Sequence, residues 1–382
     1  MQGSLMRLRG MQALVAFSVL GFAGFCLTLA SLPVYAVAGG AAESSAGVVT
    51  TVFLGATIAV QTTVPALTAR FGLGPVLVGG LLAMGLPAPF YVVDDSVLWI
   101  SGLSAVRGAG FAVLTVLGAT LAARVAPPDR RGESIGLYGL GIAIPNLLGV
   151  PAGVALVLDG HVGWLSWLAA SPVLAVFLVP QLVRAVTPDT GPRPVGTGRA
   201  AVRGALLPSA VLFVVTMSGG GLVTFLPIER PDGALATVAL LVYGVTAAAT
   251  RWRAGTLADR LGGTWLLPLA LGVTAAGLVV TAAGLAVGAV WVVVGAGLFG
   301  AGYGAVQNLT LVAAFARAGE GGTTTASAMW NAAFDAGTAV GALALGFLAA
   351  GIGLDWTYVV VAAVLAAVVP LASAAARVAV HS

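Results

Sequence analysis

From end to end the chain repeats one pattern, an apolar run of about 20 or more residues followed by a short loop bearing Arg, an acidic residue or Pro. A helix of about 20 apolar residues crosses a bilayer, and inside a bilayer only helices and closed barrels satisfy every backbone group. Runs of this length therefore predict membrane-spanning helices and exclude most other folds. A mean hydropathy of +1.05, with 59% hydrophobic and 8% charged residues, lies far outside the range of soluble globular chains. Shared among twelve spans, 382 residues leave about 32 each, enough for a helix and a short loop.

Charge sets the expected topology. All 17 basic residues are Arg, and without Lys a Walker A phosphate loop and a built-in ATPase motor are excluded. The pI near 9.7 would suit nucleic acid if the Arg shared one soluble face, but they stand in separate short loops, so no nucleic-acid partner is expected. With the N-terminus inside, every Arg except Arg107, within a span, and Arg230, outside, falls on inner loops or tails. The outer loops hold Glu43, Asp94, Asp95, Asp159, Glu229, Asp232 and Asp355. This is the positive-inside pattern, and it predicts twelve spans, both termini cytoplasmic, in a cell membrane. Cys26 is the sole cysteine, and His161 and His381 are far apart, so neither a disulfide nor a metal or other cofactor is expected.

The first run ends near Ala36-Val37-Ala38, which looks like a signal-peptidase site, but it is nearly twice the length of a signal h-region. It is read as a retained helix. Spans follow to about residue 69, from 73 to 93, from 97 to 124, from 134 to 158 with Pro145 and Pro151 inside, and on to Arg184. A Pro- and Arg-rich linker over residues 185–204 divides the chain into halves 1–184 and 205–382. Spans seven to twelve are expected at about 205–228, 234–253, 264–284, 287–315, 323–351 and 354–376.

The halves echo one another. At an offset of 194, Leu226-Pro227 falls on Leu32-Pro33. At 190, Arg260 and Gly262 fall on Arg70 and Gly72. At 192, Gly300 and Gly302 fall on Gly108 and Gly110, Trp330 on Tyr138, and Gly341 on Gly149. Two parallel six-helix repeats are implied.

The charged stretch Arg251–Gly263 reads as a turn between two spans, and its Gly255, Leu257, Ala258, Asp259, Arg260 and Gly262 form G-x-L-A-D-R-x-G. This closely resembles the loop signature of the major facilitator superfamily of secondary transporters, and the resemblance extends over essentially the whole chain. It implies an all-α integral membrane fold of two pseudo-symmetric six-helix halves, with spans one, four, seven and ten lining a central substrate cavity. Gly255, Asp259, Arg260 and Gly262, with Arg70 and Gly72 in the first copy, would then form a cytoplasmic gate. The first copy departs from the motif, with Ala69 in place of Asp259 and Pro65 in place of Gly255. A charge-pair gate would lie mostly in the second half.

Ionisable side chains well inside a span are costly and need a reason. Arg107 and Asp335 are the candidates. Asp335 shares a face with Asn331 and Thr338, and is the candidate proton carrier against the alternative of a structural hydrogen-bonding group. Arg107 resembles the intramembrane Arg of superfamily exporters, which is linked to proton coupling; the alternative is a helix-to-helix clamp. Tyr303, Gln307 and Thr310, beside Asn308, form a polar stripe on the tenth span, and Thr28, Ser31 and Tyr35 form one on the first. Each stripe is either substrate-facing or ordinary interhelical packing. The fifth-span run Gly139–Gly153 faintly resembles the Gly/Pro motif of drug–proton antiporters. An intramembrane hydrolase would need a Ser–His or paired-Asp set at depth, which is missing, so no enzymatic activity is expected.

The expectation is a monomeric bacterial efflux-type carrier that exports a drug or metabolite by alternating access in exchange for protons, with Arg107 and Asp335 coupling the proton. The alternative is an uptake symporter or facilitator for a sugar, organic acid or amino acid.

Overall fold

The computed structural model describes residues 4–41, 43–186, 197–229, 234–261, 264–319 and 321–376. Helix makes up 91% of the described residues and no strand occurs among them, so backbone groups are satisfied within each segment as a bilayer requires. The first half contains α1 (Arg9–Leu29), α2 (Ser31–Ala38), α3 (Glu43–Gln61), α4 (Val64–Phe71), α5 (Leu73–Gly85), α6 (Val97–Val125), α7 (Arg131–Leu158), α8 (Val162–Leu168) and α9 (Val179–Ala185). The second contains α10 (Thr197–Glu229), α11 (Ala234–Leu261), α12 (Leu266–Val287), α13 (Ala289–Ala318), α14 (Thr323–Ile352) and α15 (Leu354–Ala376).

Breaks in these helices have local causes. α3 and α4 form one path bent by 53°, with Pro65 in the first turn of α4, where its missing N–H costs nothing. The sixth expected span is one membrane-length segment, Val162–Ala185, that changes helix type along its path: α8, then a 3-10 stretch at Ser171–Leu178 with Pro172 in its first turn, then α9 with Pro180 in its first turn. α7 instead runs unbroken through Pro145 and Pro151. Gly72, Gly288, Gly319 and Gly353 stand at helix boundaries with positive φ. Ten segments are long and apolar enough to cross a membrane, eleven counting the bent α3–α4 path. α11 is the long helix outside that set, and with it the series reaches twelve. One expectation changes: Arg251 to Leu261 is no turn but the last turns of α11.

The chain folds as two compact units, one of residues 1–126 and 140–190, the other of residues 127–139 and 191–382. The opening turns of α7 thus belong to the second unit. Within the first unit α6 packs on α3 and α5; within the second α13 packs on α11 and α12. The sequence echoes occupy matching places in these stacks. Gly108 lets α6 approach the Phe53 carbonyl of α3, and Gly110 brings it onto the α5 backbone at Gly80 and Met84. Gly300 likewise meets the Tyr243 carbonyl of α11, and Gly302 meets Ala270 and Thr274 of α12. A Cβ at any of these four would collide with backbone or a buried side chain. Phe53 and Phe111 pair at 5.5 Å between ring centroids in the first unit, and Tyr243 and Tyr303, at the same repeat positions, pair at 5.6 Å in the second.

Because lipid supplies no hydrophobic drive between helices, these contacts carry much of the packing. Gly302→Val is expected to cost about 1–3 kcal/mol by overpacking. Gly272→Ala, where a Cβ would meet nothing within 4 Å, should melt with the parent in thermal unfolding of detergent-purified protein.

Candidate functional site

In the first unit Arg107 is fully buried on α6. Its Nε donates to the Met84 carbonyl (2.9 Å), Nη1 to Thr28 Oγ1 (3.1 Å) and the Tyr91 hydroxyl (3.2 Å), and Nη2 to the Gly24 carbonyl (2.7 Å). The Tyr91 ring lies 5.4 Å from the guanidinium, and its hydroxyl is 3.0 Å from Ser104 Oγ. Four neutral oxygens from three elements take up most of the five donors of the fork. This geometry locks α1 to α6 and to the end of α5. Thr28 thereby serves Arg107, and Ser31 Oγ turns back to the Leu27 carbonyl at 2.6 Å. Tyr35, on α2, packs beside Leu32 and Ala36. A small cleft in this unit is lined by Phe25, Thr28, Leu32, Val49, Phe53 and Ser104.

In the second unit the opening turn of α7 lies along α11. Gly255 fits directly against the Gly132 carbonyl, and Gly136 against Trp252. Asp259 supplies the cap that α7 needs: its carboxylate oxygens accept from the Gly132 N–H (3.2 Å) and the Glu133 N–H (3.0 Å). These are among the amides a helix start leaves unsatisfied, and the helix dipole favours a negative charge there. Partial burial, with Glu133 and Asp129 nearby, nevertheless lifts the Asp259 carboxyl above the ordinary aspartate range, although the two amides pull it down. Arg260 is exposed, and Arg253 lies over the Trp252 ring at 4.8 Å. Arg70 sits 5.2 Å from the Phe71 ring centroid, with Gly72 at the following turn (φ +84°). Gly262 lies outside the described residues.

Deeper in the second unit the α13 stripe meets α11. Arg251 Nη1 donates to Gln307 Oε1 (2.8 Å), and Asn308 Nδ2 donates to the Arg251 carbonyl (2.9 Å). The hydroxyls of Tyr243 and Tyr303 are hydrogen-bonded to each other, and that of Tyr303 lies close enough to Arg251 and Asp335 to feel both charges. Thr310 Oγ1 accepts from the Trp330 indole at 3.1 Å, and Asn331 turns to Ser327 at 2.9 Å. Gln307, Asn308 and Tyr303 thus gather around Arg251, with Asp335 in electrostatic reach of Tyr303, whereas Thr310 and Asn331 bond within the α13–α14 packing. Sequence reading missed the part of Arg251 and of Tyr243, because the charged stretch looked like a loop. Their signal was the repeat: subtracting the same offsets sets Arg251 on Gln61 and Gln307 on Thr115, which also face each other, at 3.5 Å.

A two-unit helical membrane protein with interior arginines and a carboxyl on a spanning helix is the plan of a secondary transporter. The family model of the Major Facilitator Superfamily matches residues 13–329, and the chain belongs to that superfamily. No curated protein matches in sequence. Among solved structures, that of the transporter FucP in its outward conformation has a TM-score of 0.76 at 14% identity, covering 96% of this chain and 98% of that one. A variant of the E. coli fucose:proton symporter FucP gives 0.72 at 14%, covering 97% and 98%. The human organic anion transporter MFSD10 (TETRAN) gives 0.73 at 16%, covering 97% and 100%. At these identities the likeness is one of fold.

Asp259→Ala should cost about 1 kcal/mol through loss of the α7 cap, while Asp259→Asn, whose side-chain carbonyl still accepts, should lose less. A carboxyl with a raised folded-state pKa holds its proton more readily in the folded than in the unfolded chain. Its contribution is therefore in place below the ordinary aspartate value of 3.8 and is lost as pH rises through the raised one. Across that window, thermal melts should show the parent losing stability relative to Asp259→Asn as pH increases.

Proposed function

We propose that this superfamily member moves a small organic molecule across the cell membrane by alternating access, with Asp335 carrying the coupled proton. The observation that carries this reading is the position of Asp335, an acid on a membrane-length helix within electrostatic reach of Tyr303 and, through it, of Arg251. An acid at such a place is costly unless it is used. The proposed halves are 1–184 and 205–382 joined by 185–204, with both termini cytoplasmic, as the Arg distribution suggests. Release of the Asp259 cap from α7 is the proposed gating event.

Export in exchange for protons is the direction that the sequence resemblance favours. Arg251 favours a second reading, uptake of an organic acid together with protons, because a cation at the site suits an anionic cargo. The two readings differ in which way protons move.

Inside-out vesicles energised to an acid interior, with a pH-sensitive dye inside, separate them. Lipophilic cations, antibiotics and small carboxylates are added in turn to the parent and to Asp335→Asn. Release of the gradient by some compound in the parent, with silence in the mutant, is the result expected for export. No release, with alkalinisation of the medium when a carboxylate is given to intact cells, replaces export by uptake. Equal behaviour of parent and Asp335→Asn in both assays removes Asp335 from the coupling.

A further inference from the structure

Two arginines lie in the interior of the helical units, and they are in opposite states. Arg107 is fully buried and donates four hydrogen bonds, all within one clamp of neutral oxygens. Arg251 is half-buried, and among the described residues its guanidinium makes one hydrogen bond, to Gln307. Its Nε is shielded from solvent without a hydrogen-bond partner, and no carboxylate lies at ion-pair distance from it among the described residues. A partly desolvated charge without a counter-charge is unfavourable, so a fold keeps one where something else completes it.

The repeat shows that the fold itself does not require this charge. In the first unit the matching position is Gln61, facing Thr115, and the rings beside it are Phe53 and Phe111. In the second unit the same four places hold Arg251, Gln307, Tyr243 and Tyr303. The same stack of helices thus exists once in neutral form and once with a cation and two phenols. Space has also been cleared for the guanidinium stem. A Cβ at Gly139 of α7 would lie 2.7 Å from Arg251 Nε and 3.0 Å from its Cδ, so this side chain occupies room that only glycine leaves. The fully buried Asn308 beside it has a side-chain oxygen without a described partner. Arg251 lies ten residues before Leu261, about 15 Å from the end of α11, too far in to be a loop charge.

We infer that Arg251, with Gln307 and the Tyr303 hydroxyl, is a binding site for a carboxylate group of the transported molecule, so that the cargo is an organic acid. A planar guanidinium offers a carboxylate two parallel N–H donors, and a phenol adds a third. The site rests on the transport reading, and it fixes the sign of coupling for such a cargo. An ionised Asp335 near Tyr303 disfavours a second negative charge there, and a protonated one does not. Anion and proton therefore bind together, which is the arrangement of the uptake reading rather than of exchange.

The test is binding to the purified full-length protein in detergent, read by thermal melting at about pH 5.5 and 7.5. The probes are benzoate, 4-hydroxybenzoate and hexanoate at up to tens of millimolar, each against its carboxamide. Carboxylates are expected to raise the melting temperature, more at the lower pH, while their amides do not. Arg251→Gln should weaken the apparent affinity about tenfold or more, as loss of a charge-assisted pair implies. In Asp335→Asn the pH dependence should disappear. Gly139→Ala keeps the charge but displaces the side chain, and it should weaken carboxylate binding even if Arg251→Gln fails to fold. Equal shifts with acids and amides, no shift with any carboxylate, or carboxylate shifts unchanged in both Arg251→Gln and Gly139→Ala overturn the site. Failure here with proton movement intact in vesicles removes the carboxylate site and leaves transport standing. Carboxylate binding lost in Arg251→Gln, without proton movement in vesicles or cells, leaves the site and removes proton coupling.

Discussion

The structure depends on close contact between helix backbones at glycines. In a bilayer the exterior is as apolar as the interior, so helices are not driven together by burial and must be held by dispersion at short range and by the few polar groups they share. Gly108 and Gly110 on α6, and Gly300 and Gly302 on α13, let one helix lie against two neighbours in each unit. The aromatic pairs Phe53–Phe111 and Tyr243–Tyr303 sit beside them with nearly equal centroid distances, 5.5 and 5.6 Å.

On that shared scaffold the two units put polarity to different uses. The first spends its buried charge on cohesion: Arg107 gathers oxygens from α1, α5 and Tyr91 and is closed off from solvent. The second places its charge where the scaffold needs none, since Gln61 fills the matching position in the first unit. Around Arg251 stand an amide, two phenols and, beyond Tyr303, a carboxyl, a set whose hydrogen-bonding capacity exceeds what its members use among themselves. The α7–α11 seam is polar in another sense. An acid from one helix caps the start of another, and the proximity of Glu133 and Asp129 makes that cap sensitive to protonation.

Much of this was legible in the residues. Twenty-residue apolar runs require helices because no other unclosed structure satisfies its backbone in lipid, and family membership followed from Gly255 to Arg260 together with the repeat. The paired glycines pointed to matching contacts before any contact was seen. Less legible was the end of α11: a run of Arg, Asp and Gly suggests a loop, but Asp259 is engaged with the start of α7 and Gly255 is pressed on Gly132, which hold those turns helical. The 3-10 stretch within the sixth span is likewise written in Pro172 and Pro180, yet the similar Pro145 and Pro151 leave α7 α-helical throughout.

The sequence alone determined the all-helical membrane fold, its internal repeat and its superfamily, because these depend on the length, period and composition of segments. Only the tertiary structure decided what each interior polar group does. Whether an arginine is a clamp or an open cation depends on how many acceptors neighbouring helices bring within about 3 Å of it, and those acceptors come from residues 16 to 83 positions away for Arg107. No local pattern records that count.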